Sequence, residues 1–110
     1  MADIYELESE AEKLRDEGKY EEAIAKLDEL LSADDKFVRA HLALAVIYGR
    51  LHQHEKAIEH GERACEIEPT DSFNFTALSV VYQRALTATQ NPQYKNLAEQ
   101  AMDRSRMLMS

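Results

Sequence analysis

Three histidines crowd one stretch of the chain, His52, His54 and His60, with Glu55 and Glu59 among them. Zinc takes imidazole nitrogens and carboxylate oxygens, and His52-x-His54 in a turn could supply two ligands converging on one point. A metal-responsive regulator is therefore one reading of this segment. Cys65 is the single thiol. A nucleophilic cysteine needs an electropositive, partly exposed setting, whereas a cysteine inside an amphipathic helix packs as a small apolar residue. Carboxylates abound, but they fall in a charge run on solvent faces, so no acid–base pair stands out. Gly18, Gly49 and Gly61 are isolated, which leaves no glycine-rich loop to cradle a phosphate. No residue is assigned a catalytic or metal-binding role, no cofactor is called for, and an enzyme ranks last among the readings.

The elements that must carry these residues are helical. Ile4, Leu7, Ala11 and Leu14 recur at three- and four-residue steps, predicting an amphipathic helix over residues 3–17. Gly18 supplies the left-handed conformation that stops it. Tyr20, Ala23, Ile24, Leu27, Leu30 and Leu31 form the stripe of a second helix, followed by a polar turn over residues 32–36. From Val38 to Leu51 the apolar residues run nearly all round the helix, which requires burial on several sides. A fourth helix spans His54 to Ile67 and is stopped by Pro69. Thr70, Asp71 and Ser72 offer N-caps for a fifth, beginning near Phe73 and reaching about Thr87. Asn91-Pro92 opens a sixth, with proline at its first position, ending near Met109.

Composition agrees with an all-α domain. The 110 residues suffice for one core, and three Gly with two Pro leave little material for a turn-rich β fold. No apolar run approaches the roughly 18 residues of a membrane span, so no membrane partner is expected. The N-terminus lacks the layout of a signal peptide, and a lone cysteine fits a reducing, cytoplasmic setting. Charge is uneven. Residues 1–37 hold 13 acids and 5 bases (net −8), residues 38–71 hold 6 and 4 (net −2), and residues 72–110 hold 2 and 4 (net +2). Without a concentrated basic surface, nucleic acid is an unsuitable partner. The acidic head reads as a solvated face.

The helices repeat. Tyr20-Glu21-Glu22-Ala23-Ile24 realigns with His54-Glu55-Lys56-Ala57-Ile58 at an offset of 34 residues, which also carries Leu14 onto Tyr48 and Tyr82, and Leu7 onto His41 and Phe75. By this register His41 and His54 stand at packing positions, the competing reading of the histidines. A fixed period of about 20–50 residues marks stacked units, none of which buries its apolar face alone. Leu44-Ala45, Tyr48, Ala57-Ile58, Ala64 and Pro69 in the middle unit, with Gly18, Tyr20, Ala23 and Leu27 in the first, resemble the tetratricopeptide repeat. Asp35 stands where that pattern usually has proline. The resemblance implies three tandem helix–turn–helix repeats, near residues 4–37, 38–71 and 72–109, in one domain over 1–110 forming a short right-handed solenoid. The third repeat departs by seven residues, since its second-helix alanine is Ala98 rather than position 91. An extended hairpin would keep the packing faces, seven residues being close to two helical turns.

The resemblance also implies a function, non-catalytic binding of a protein or peptide in a concave groove lined by the first helix of each pair. By position the groove takes Tyr5, Glu8, Glu12, Leu42, Ala43, Val46, Arg50, Phe73, Thr76, Ala77, Val80 and Arg84. Leu42, Val46 and Val80 could equally be core. The expected ligand is an extended peptide or amphipathic helix with apolar side chains and a basic residue to meet Glu8 and Glu12. Some relatives hold the carboxylates of heat-shock chaperone tails with Lys, Asn and Arg at the positions that here are Glu8, Glu12, Ala43, Phe73 and Ala77. Two glutamates would repel such a tail, which argues against that role. A rival reading is self-assembly: the closing helix common in such arrays is not present after the third repeat, and Met102, Met107, Leu108 and Met109 would form an adhesive surface, giving a homodimer.

Overall fold

The computed structural model describes residues 3–110, and among these it contains six helices and no strand. They are α1 (Ile4–Asp16), α2 (Tyr20–Ala33), α3 (Val38–Arg50), α4 (His54–Ile67), α5 (Ser72–Thr89) and α6 (Gln93–Met109). Consecutive helices pair as antiparallel hairpins, α1 with α2, α3 with α4 and α5 with α6, and the pairs stack through α2 on α3, α4 on α5, and α3 on α5. None of these helices is long and apolar enough to cross a membrane.

Local chemistry sets the boundaries. Asp3 accepts a hydrogen bond from the Tyr5 N–H at 2.9 Å, and Asp71 accepts one from the Phe73 N–H at 2.9 Å. Each satisfies a donor that the first helical turn leaves without a partner. At α6 the side chain of Asn91 accepts from the Gln93 N–H at 3.0 Å, and Pro92 already has helical angles. This is the cap-then-proline start expected from the sequence. All three hairpins turn through the left-handed region, Gly18 with φ 78° and His52 with φ 60° one period apart, and Gln90 with φ 60° in the third. Glycine is unstrained there, but a residue with a Cβ is disfavoured by roughly 1 kcal/mol.

The third hairpin absorbs its extra residues in longer helices. α5 has 18 residues and α6 has 17, against 13 and 14 in the middle pair. The connection at residues 90–92 is short, so a long loop at this point is not what the chain adopts. Ala98 is buried, as Ala57 and Ala23 are in their hairpins.

Small residues mark the close approaches. Ala45, Ala57 and Val81 form the joint between the second and third hairpins, while Leu7, Leu27, Leu30, Leu44 and Ile47 fill the core of the first two. α3 buries Ala40, His41, Leu44, Ala45 and Ile47, and it packs against α2, α4 and α5, as its nearly all-round apolar pattern demands. Gly61 lets α4 approach α5 so closely that an added Cβ would lie 3.1 Å from Leu78 Cδ1. Fully burying a leucine such as Leu44 contributes about 1.5–3 kcal/mol, and this stacking is what holds each hairpin in place.

Candidate functional site

α1, α3 and α5 leave a concavity of about 240 Å³ between them. Its α3 wall is built by Leu42, Ala43 and Val46, and its α1 wall by Glu8, Ala11, Glu12 and Arg15, with Phe73 of α5 at one side. Helical spacing explains the grouping, since residues three, four and seven apart share a face. Phe73 is 64% exposed, although apolar side chains of this size are normally covered. Leu42 and Val46 are half-buried, so they neither vanish into the core nor stand free. They bridge the two alternatives left open by their spacing, with one flank on the core and the other on the concavity.

Electrostatics alter the role expected for Glu8. The Arg39 guanidinium donates two hydrogen bonds to it, Nε to Oε2 at 2.7 Å and Nη2 to Oε1 at 2.9 Å. This forked contact holds the Arg39 pKa above its ordinary value, chiefly through the hydrogen bond and secondarily through the charge of Glu8. Arg39 also lies 4.8 Å from the centre of the Phe37 ring, which meets Tyr5 edge-on at 6.1 Å. Glu8 is thus neutralised within the chain, and Glu12 is the carboxylate of the pair with no ion-pair partner among the described residues. Arg39 and Arg15 were missed as groove residues. Arg39 precedes Leu42, Ala43 and Val46 by three, four and seven positions, and Arg15 follows Glu8 and Glu12 by seven and three, so extending the face by one turn would have found both.

Other residues expected to line the groove do not border this first concavity. Val80 and Arg84 line a second concavity of about 570 Å³, shared with Gly49, His52 and His54. Thr76 turns toward α6, where its hydroxyl meets that of Ser105 at 2.7 Å. Arg50 donates to the Tyr20 hydroxyl at 3.3 Å, reaching back to α2. Ala77 is half-buried and borders neither concavity. Of the four residues expected to drive self-association, Met107 (67% exposed) and Met109 (72%) are open to solvent. Met102 lines a crevice between α5 and α6, and Leu108 is half-buried.

The histidine cluster is not the one that the sequence order brings to mind. His52 and His54 stay together, with ring centres 6.0 Å apart, but His60 faces His41 across the α3–α4 hairpin with their Nδ1 atoms 3.1 Å apart. The reason is helical: six residues separate His54 from His60, which places them on different faces of α4. Among the described residues no three His, Cys, Asp or Glu side chains form a group that could hold a metal ion. Cys65 is buried, and burial, followed by the charges of Glu62 and Glu66, pushes its thiol up to about 11. That state is the opposite of an activated nucleophile.

A family model described as tetratricopeptide repeat matches residues 14–72. Among solved structures, the chain is similar to the second TPR of Spaghetti (RPAP3) bound to the HSP90 peptide SRMEEVD. That similarity has a TM-score of 0.77 and 20% identity, covering 96% of this chain and 91% of that one. It is also similar to MamA MSR-1 C2, with a TM-score of 0.68 and 17% identity, covering 94% of this chain and 59% of that one. No curated protein matches the sequence.

Proposed function

The chain belongs to the tetratricopeptide-repeat family, and on that premise we propose that it is a non-catalytic protein-interaction module that takes a peptide or helix in its concave groove. One observation carries the reading: Phe73 stands largely exposed beside a concavity walled by Leu42, Ala43 and Val46, an apolar site open to a partner. A similar solved structure, the second TPR of Spaghetti, is bound to a peptide, which supports the same use of the fold. The ligand is apolar where it meets Val46 and Phe73. A basic residue of the ligand pairs with Glu12, since Glu8 is already held by Arg39.

The test uses a pool of short random peptides selected on the pure protein. Val46→Glu and Phe73→Glu should each lose the selected binders while retaining the helical circular dichroism spectrum and the melting transition. A variant that keeps its spectrum and still binds would overturn the groove reading, and one that unfolds would assign that residue to the core.

A second reading is homodimerisation, favoured by the exposed side chains of Met107 and Met109 on α6.

A further inference from the structure

The second concavity differs in chemistry from the first. Its polar lining is Arg84, Gln83 and Thr87 from α5 with His52 from the α3–α4 connection and His54 from the start of α4, and no acidic residue borders it. Arg84 makes no ion pair among the described residues, in contrast to Arg39, which is locked to Glu8. Both ring nitrogens of His54 are buried without a hydrogen-bond partner. Orphaned polar atoms of this kind are uncommon in folded proteins and call for an explanation. His52 holds the left-handed turn position that Gly18 holds in the first hairpin and Gln90 in the third, which places its imidazole at the rim of this cavity.

Val80 and Arg84 continue the α5 face that begins at Phe73, and Gly49 continues the α3 face of Leu42 and Val46, so this cavity prolongs the apolar groove. The Arg84 side chain lies over Gly49, its Nη1 3.7 Å from where a Cβ would stand, at ordinary contact distance. We infer that this end of the groove is a carboxylate-binding subsite, in which Arg84, flanked by His52 and His54, receives the side-chain carboxylate of an acidic residue in a docked peptide. The inference rests on the groove reading and gives the ligand a direction, with its basic residue at Glu12 and its acidic residue at Arg84. A planar guanidinium suits the site, because it offers paired donors to the two carboxylate oxygens. The subsite is distinct from positions 8, 12, 43, 73 and 77, none of which carries a cation here.

The probe is a capped tripeptide, acetyl-Ala-Glu-Ala-amide, with acetyl-Ala-Gln-Ala-amide as its neutral counterpart. Each is titrated into the full chain while the imidazole resonances of His52 and His54 are followed by NMR. The glutamate peptide should give saturable shifts at both rings, and the glutamine peptide should not. Arg84→Gln, a change at an exposed side chain, should weaken the glutamate peptide about tenfold with the spectrum otherwise preserved. His52→Gly should also weaken it while leaving the melting temperature unchanged or higher, because the glycine relieves the backbone. Val46→Glu should spare the tripeptide while losing the longer groove ligands, which separates failure of this inference from failure of the groove. Equal shifts with both peptides, shifts that do not saturate, or undiminished binding by Arg84→Gln would overturn the subsite.

Discussion

The His41–His60 pair shows how two neutral rings can be bound into a core at the cost of acid sensitivity. His41 Nε2 lies 2.9 Å from the Asp35 carbonyl, which only accepts, so this nitrogen carries the proton. In the neutral ring Nδ1 is then an acceptor, and His60 Nδ1 must donate to it. A second proton would set two donors against each other. Burial, and then His41, lower the His60 pKa below its ordinary 6.5, against weaker opposing influences from Asp28 of α2 and Glu59 of α4. Below about pH 6.5 the unfolded chain therefore binds protons that the folded chain refuses, and stability falls as pH drops through that value. His60→Phe retains a ring to stack on Tyr48, whose ring centre is 5.8 Å away, and removes this titration. The urea midpoint of the wild type should fall more steeply between about pH 7.5 and 5 than that of the variant. Parallel curves would show that His60 does not titrate as described. Cys65 gives a second test at this scale: its buried thiol, raised to about 11, should resist alkylation at mildly alkaline pH until the chain is unfolded.

At the scale of elements, the hairpins depend on small residues at crossings. Ala57 of α4 is buried against Ala45 of α3 and Val81 of α5. Ala57→Leu should cost roughly 1–3 kcal/mol, read as a lower denaturation midpoint, because overpacking forces neighbouring side chains out of their preferred rotamers. A neutral outcome would contradict the repeat register that aligns Ala57 with Ala23. Gly61 serves the same purpose against Leu78, and it stands in register with Leu27 of the first repeat. The two hairpin interfaces thus share one backbone plan while filling it with different side chains. The hydrogen bond from the Tyr82 hydroxyl to Glu62 fastens α5 to α4. Burial first, then that bond, raise the Tyr82 pKa well above the usual tyrosine range, so the phenol stays protonated as the donor.

The whole molecule is elongated, with principal extents of 42 × 30 × 19 Å, and its charge runs from acidic at the first hairpin to mildly basic at the third. A head-to-tail contact between copies would exploit that gradient and weaken with salt, whereas contact through the apolar α6 surface would be almost insensitive to it. The proposed homodimer would use the second, through the exposed Met107 or Met109, which their two-residue spacing sets on different faces of α6. Sedimentation over a concentration series should show mass rising toward twice the monomer, and Met107→Lys with Met109→Lys should abolish the rise. A wild type that stays monomeric throughout would leave these methionines as isolated surface residues and remove the dimer.

The sequence alone determined the six helices, because apolar spacing, Gly18, Asp71 and Asn91-Pro92 act within a few residues of where they stand. It also carried the pairing of those helices, since the 34-residue offset brings equivalent packing residues into phase. What lay beyond it depends on contacts between distant segments. The capture of Glu8 by Arg39 spans 31 positions, and no local pattern announces that one of two neighbouring glutamates is neutralised. His41 and His60 share no helix, so only the closing of α3 on α4 turns two separate packing residues into a hydrogen-bonded pair. Thr76 was assigned to the groove by register, but the longer third hairpin brings Ser105 opposite it, and that hydroxyl contact draws Thr76 toward α6. Local periodicity decides which residues face inward along a helix. Which of them meet, and which charges remain free for a partner, is decided by how the helices stack.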